Sequence, residues 1–173
     1  MKKFITWVTL FLMSMVTTAV YAQQVPSDSI LHVVAVQALK ENKFVLEADR
    51  LMFKRGDVAY VNSNTNFVLV DGEKGTVQVA FNNTPFAGPN GIGGVTVDGK
   101  VSGVRVKESK KGSVTYSFSV QGAGISAQVF LTLSRDTNQA TVNVSPNFNS
   151  SNLTLNGRII PLEESTVYKA RSF

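Results

Sequence analysis

The 173-residue chain contains no cysteine. Disulfides, thiol nucleophiles, cysteine–zinc sites and a lipid carried on a cysteine are all excluded, so the fold must be held by its core alone. Histidine is nearly absent too. His32 is the single one, and it has no Ser, Asp or His partner at motif spacing. A catalytic base needs a nucleophile within reach, and a transition-metal site needs several nitrogen or sulfur ligands. His32 therefore reads as a capped or half-buried helix residue. No catalytic residue, metal or cofactor is assigned.

Charge is sparse as well, at 17% Asp, Glu, Lys and Arg. The basic residues are scattered, and the densest group, Lys107, Lys110 and Lys111, has the look of a solvated hairpin tip. Nucleic-acid binding needs a basic face. None is visible, so that class is excluded.

The first 22 residues have the order of a secretory signal peptide: Lys2-Lys3, an apolar run Phe4–Val16, then small residues Val20 and Ala22 before a cut at Gln23. The run falls short of the ~20 residues a membrane-spanning helix needs, so membrane contact is expected only if this segment is retained. Removing it takes Lys2 and Lys3 from 17 basic residues and leaves 15 against 12 acidic ones, a charge of +3. The expected organisation is a signal peptide at 1–22, one β-rich domain at 23–162 and a loose polar tail at 163–173.

Ile30, Val33, Val34, Gln37, Ala38 and Glu41 fall at helical spacing behind a Ser27 or Asp28 cap, predicting a mostly covered helix over 29–41. From Phe44 the period changes to two. Strands are predicted at 44–53, 58–61, 67–70, 76–81, 95–97, 101–108, 113–121, 125–134, 140–145 and 152–160. Gly72, Gly99, Gly112 and Gly122 lie in the intervening turns. The clearest alternation sets Val114, Tyr116, Phe118 and Val120 against Thr115, Ser117 and Ser119. The predicted fold is mainly β with one N-terminal helix: an antiparallel barrel, half-barrel or strongly curved sheet of about eight or nine strands, with the helix covering its open face.

One stretch breaks the alternation: Asn82–Gly94, NNTPFAGPNGIGG. It lacks the GxxxxGK[ST] phosphate loop, has no glycine at Thr96 to complete GxGxxG, and leads into a strand instead of a helix. Nucleotide binding is read out. What remains is a glycine-dependent crossover between two groups of strands, stiffened by Pro85 and Pro89. Long aperiodic loops are often working loops, so the candidate binding residues are Pro85, Phe86, Gly88, Gly91, Ile92, Gly93 and Gly94. Glu47 and Asp49 share a face of the first strand and are read as solvated. Asp71, Glu73 and Asp98 beside glycines have no regular calcium-ligand spacing.

The stretches Ala38–Ala48 (ALKENKFVLEA), Thr84-Pro85-Phe86-Ala87-Gly88, Gly93-Gly94-Val95 and Asn156-Gly157-Arg158-Ile159 resemble the domain of unknown function 4251 family over about 30–162. That family comprises secreted or lipid-anchored proteins mainly of Bacteroidetes-type Gram-negative bacteria. This chain keeps the family's proline and paired glycine but has Phe86-Ala87-Gly88 in the aromatic-glycine turn. Without a cysteine, the lipid anchor does not carry over. The resemblance implies no activity and transfers no catalytic residue.

These observations lead to the expectation of an exported, non-enzymatic binding module of the bacterial envelope. Its expected place is the periplasm, with the exterior as alternative. Either the curved sheet holds an apolar small molecule or lipid segment gated by Asn82–Gly94, or the interior is filled and the chain engages an envelope protein. The state of the interior discriminates the two.

Overall fold

The computed structural model describes residues 27–53, 56–82, 92–147 and 152–167. Among the described residues a helix, α1 (Asp28–Lys40), precedes nine strands: β1 (Lys43–Met52), β2 (Val58–Tyr60), β3 (Phe67–Asp71), β4 (Lys74–Asn82), β5 (Ile92–Glu108), β6 (Val114–Gln121), β7 (Ser126–Leu133), β8 (Gln139–Pro146) and β9 (Leu153–Pro161). They pair antiparallel in the order β2-β1-β3-β4-β5-β6-β7-β8-β9, and β9 returns to β1. Eight strands, β1 and β3 to β9, thus close a barrel; β2 is an extra strand beside the end of β1. The mainly β fold with one helix is as expected, in its barrel form.

Period-two alternation builds the core. Val114, Tyr116, Phe118 and Val120 of β6 point inward, as do Ala127, Val129, Leu131 and Leu133 of β7. They join Phe44, Leu46 and Leu51 of β1 and Leu155 and Ile159 of β9 in one continuous cluster. Phe44 and Tyr116 meet edge to face with ring centroids 5.1 Å apart. An eight-strand barrel encloses just enough room for its side chains or one small ligand. Here large apolar side chains occupy it.

Antiparallel pairing places the start of β1, the β3–β4, β5–β6 and β7–β8 turns and the exit of β9 at one end of the barrel. The helix lies against that end. His32 Nδ1–H donates to the Thr137 carbonyl in the β7–β8 turn (2.9 Å), and Lys40 reaches Glu108 at the end of β5 (3.6 Å). Ala35, Ala38 and Leu39 are buried in the core cluster. Coverage is narrower than the apolar stripe predicts, since Ile30 and Val33 remain 56% and 67% exposed.

Two further features depart from the sequence expectation. The stretches 95–97 and 101–108, read as separate strands across an Asp98-Gly99 turn, form one continuous strand, β5. Gly99 is there for close approach: a Cβ would fall 1.9 Å from the Gln121 carbonyl oxygen. Asp98 accepts a hydrogen bond from Thr76 Oγ1 across the β4–β5 ladder (2.9 Å). The tail, expected to be loose, begins as packed structure. Leu162 and Val167 cover Val45, Phe67 and Leu69 on the outer wall, and the buried Ser165 donates to Glu47 Oε1 (2.7 Å).

Candidate functional site

The glycine-rich stretch is a hairpin connection. Asn82 pairs with Ile92, Phe81 with Gly93 and Ala80 with Gly94, so Ile92, Gly93 and Gly94 open β5 as strand residues. Pro85, Phe86, Gly88 and Gly91 lie outside the described residues. The expected crossover between two groups of strands is therefore replaced by an antiparallel β4–β5 hairpin, at the barrel end opposite α1. Proline and glycine density marks a reversal equally well in either topology, and only the ladder distinguishes them.

The two halves of β5 have different neighbours. Ile92–Lys100 pairs with β4 and Lys100–Glu108 with β6. The handover includes a bulge between Ser102 and Arg105, with Gly103 at φ +66°; a positive φ is what glycine accommodates without a Cβ penalty. Past the bulge β5 runs with β6 alone, and among the described residues no strand pairs its β4 side. Ser109 N–H donates to the Ser113 carbonyl (2.8 Å). Antiparallel pairs alternate between bonded and non-bonded positions, so Lys107 and Arg105 bond toward β6 while Val106 and Glu108 turn their backbone groups outward. Residues 103–108 are all exposed.

A second, shorter edge is β2. Phe53 N–H donates to the Asp57 carbonyl and Val61 N–H to the Asp49 carbonyl, leaving Val58 and Tyr60 with outward backbone groups by the same alternation. Met52, Val58 and Tyr60 are exposed, Tyr60 to 86%. Sequence reasoning found both segments as strands and missed their edges, because register and stagger leave no local signature. The one clue to the β5 edge was the run Val104-Arg105-Val106-Lys107, apolar and basic in alternation.

The carboxylates flagged in the sequence are engaged individually. Glu47 accepts from Ser165, while Asp49 pairs with Arg50 (3.1 Å) and Glu73 with Lys100 (3.4 Å). Glu47 and Asp49 share an open groove of about 300 Å³ with Arg158 and Ser63. Inside, Tyr116 Oη–H donates to Asn42 Oδ1, tying the α1–β1 junction to the core. Burial raises the Tyr116 hydroxyl from 10.0 to about 12.

Apolar recesses lie outside the barrel. A groove of about 420 Å³ runs between α1 and the exit of β9, over Val33, Val34, Ala38 and Leu162. A second, of about 480 Å³, adjoins it at Val34, Pro161 and Glu164 and continues over Leu31 and Ile159.

No curated protein matches the chain. It is similar to a DUF4251 family protein from Bacteroides eggerthii DSM 20697, whose crystal structure at 1.95 Å superposes with a TM-score of 0.76. The two are 55% identical, over 84% of this chain and 97% of that one. The family model described as domain of unknown function (DUF4251) matches residues 30–159. Three-quarters of the sequence, from within α1 to within β9, thus follows that pattern, and the chain belongs to the DUF4251 family.

Proposed function

We propose that the mature chain is an exported, non-enzymatic component of the bacterial envelope that works through its outer surface, by engaging another protein. The observation that carries this reading is the occupied interior. Phe44, Tyr116, Leu46, Leu51, Leu131, Leu133 and Leu155 fill the barrel, and α1 adds Leu39 at one end. A ligand-holding barrel of this strand number needs small inward side chains to leave space. Support for an outward role comes from exposed apolar residues beside open strand edges, since edges are ready templates for another chain. Export and periplasmic residence rest on the signal-peptide order of residues 1–22. The non-enzymatic reading rests on the separate engagement of Glu47, Asp49 and His32: Asp49 pairs with Arg50, His32 bonds a backbone carbonyl, and the hydroxyl that Glu47 holds, Ser165 Oγ, is fully buried and closed to a substrate.

A second reading keeps the apolar ligand and moves it outside. The two adjoining grooves beside α1 are of ligand-pocket size, and Val33 and Val34 supply apolar walls. Native mass spectrometry of the protein purified from the exported fraction separates the two. The bare mass, together with site-specific photocrosslinks from β5 or β2 to a protein, is the expected result. A retained apolar molecule would overturn the first reading in favour of the second.

A further inference from the structure

We propose that the second half of β5 takes up an acidic, extended segment of a partner protein as an added strand. This rests on the reading of a barrel that binds through its outer surface, and it names the partner's chemistry. Three observations converge on it.

The first is the edge itself. Beyond Gly103 the β4 side of β5 has no strand partner among the described residues, because β4 begins at Lys74 opposite Lys100. The register with β6 leaves the N–H and C=O of Val106 and Glu108 facing that side. Water satisfies such groups in the free protein, and an incoming strand replaces water with ladder bonds.

The second is charge. Arg105 and Lys107 stand on the outer face opposite Ser117 and Thr115, and Lys110 and Lys111 follow in the exposed turn. The single acid on this edge, Glu108, is already paired with Lys40. A basic edge repels a second copy of itself, which is how natural edges are kept from pairing with their own kind. The same charges admit an acidic strand and set its side-chain pattern, with acids opposite Arg105 and Lys107.

The third is the other face. Val104 and Val106 are each 38% exposed. A β-branched or other apolar residue alternating with the acids would cover Val106, completing an acidic–apolar period of two.

The test uses the full mature chain and a fluorescein-labelled eight-residue peptide alternating glutamate and valine, read by fluorescence anisotropy and by backbone amide NMR. Three comparators accompany it: the same peptide N-methylated at alternate backbone positions, a lysine–valine peptide, and the protein variant Val106→Pro. The Val106 N–H points away from β6, so proline there removes an outward donor and spares the β5–β6 ladder. The expected result is saturable binding of the acidic peptide, with new amide protection at Val106 and Glu108. Binding is expected to be at least tenfold weaker for the N-methylated peptide, the lysine peptide and Val106→Pro. The double variant R105E/K107E should reverse the preference toward the lysine peptide. Equal binding of the N-methylated peptide, or undiminished binding to a folded Val106→Pro, would mean charge attraction without strand addition and would overturn the proposal. Failure of the acidic peptide to bind, with photocrosslinks mapping to β2, would overturn this inference alone. An apolar molecule carried by the native protein would overturn the reading beneath it as well.

Discussion

The β1–β9 seam and the β5 seam close the same barrel in opposite ways. Along β1–β9, pairing runs from Phe44 opposite Pro161 to Met52 opposite Thr154, interrupted by one bulge at Ala48/Arg50. Gly157 lets the strands meet there: a Cβ on it would fall 2.0 Å from the Glu47 carbonyl oxygen. Outside, Leu162 and Val167 cover the neighbouring wall. Along β5, by contrast, pairing is handed from β4 to β6 near Lys100, and each half is left with a neighbour on one side. The first seam is paired along its length except at that bulge. The second leaves backbone groups outward, so a barrel that is full inside has hydrogen-bonding capacity left there, as it has at the shorter β2 edge.

The largest effect expected from breaking this contrast is at Phe44, fully buried at the closed seam and packed edge to face against Tyr116. Phe44→Ala should cost about 3–5 kcal/mol in urea-unfolding free energy, the usual cost of emptying an aromatic core position. Next is Gly157→Ala. Its methyl group would meet backbone at 2.0 and 2.7 Å, with no flexible side chain to yield, so a loss of about 3 kcal/mol is expected by the same measurement. A loss under about 1 kcal/mol would show that the strands can separate there and that the seam is looser than described.

A smaller effect is expected at Tyr116. Tyr116→Phe removes the hydrogen bond to the half-buried Asn42 and should cost about 1 kcal/mol. It also carries a pH signature. The folded hydroxyl is raised by desolvation from 10.0 to about 12, so its contribution is fully present below pH 10 and is lost as pH rises toward about 12. Urea midpoints measured across that window should fall with pH in the wild type, and this component of the fall should be missing in Tyr116→Phe. The smallest effect is expected at the open seam, where Val106→Ala should change stability by less than about 0.5 kcal/mol, as for a surface position.

The sequence carries the barrel in its inward residues. Phe44-Leu46-Ala48 and Val114-Tyr116-Phe118-Val120 announce strands and their buried faces by period alone, and both sets lie in the one core where that alternation puts them. Glycine was harder to interpret. Asp98-Gly99 has the chemistry of a turn, yet Gly99 is required mid-strand because the Gln121 carbonyl passes beneath it. In the same way the Asn82–Gly94 stretch signalled a reversal without telling a hairpin from a crossover. The packed segment at 162–167 is polar in sequence because only Leu162, Ser165 and Val167 face the wall, too few to set a period. The open edge was the least legible feature. Val104–Glu108 alternates like any half-buried strand, and what exposes it is the length of β4, a distant element.

The most direct test of the account is residue-resolved amide hydrogen exchange on the free mature protein at neutral pH. Paired amides across β1 and β9 should exchange slowly. Within β5, Arg105 and Lys107, bonded toward β6, should be protected while Val106 and Glu108 exchange rapidly. Protection of Val106 and Glu108 equal to that of Arg105 and Lys107 would contradict the account, because it would mean that the edge is already covered.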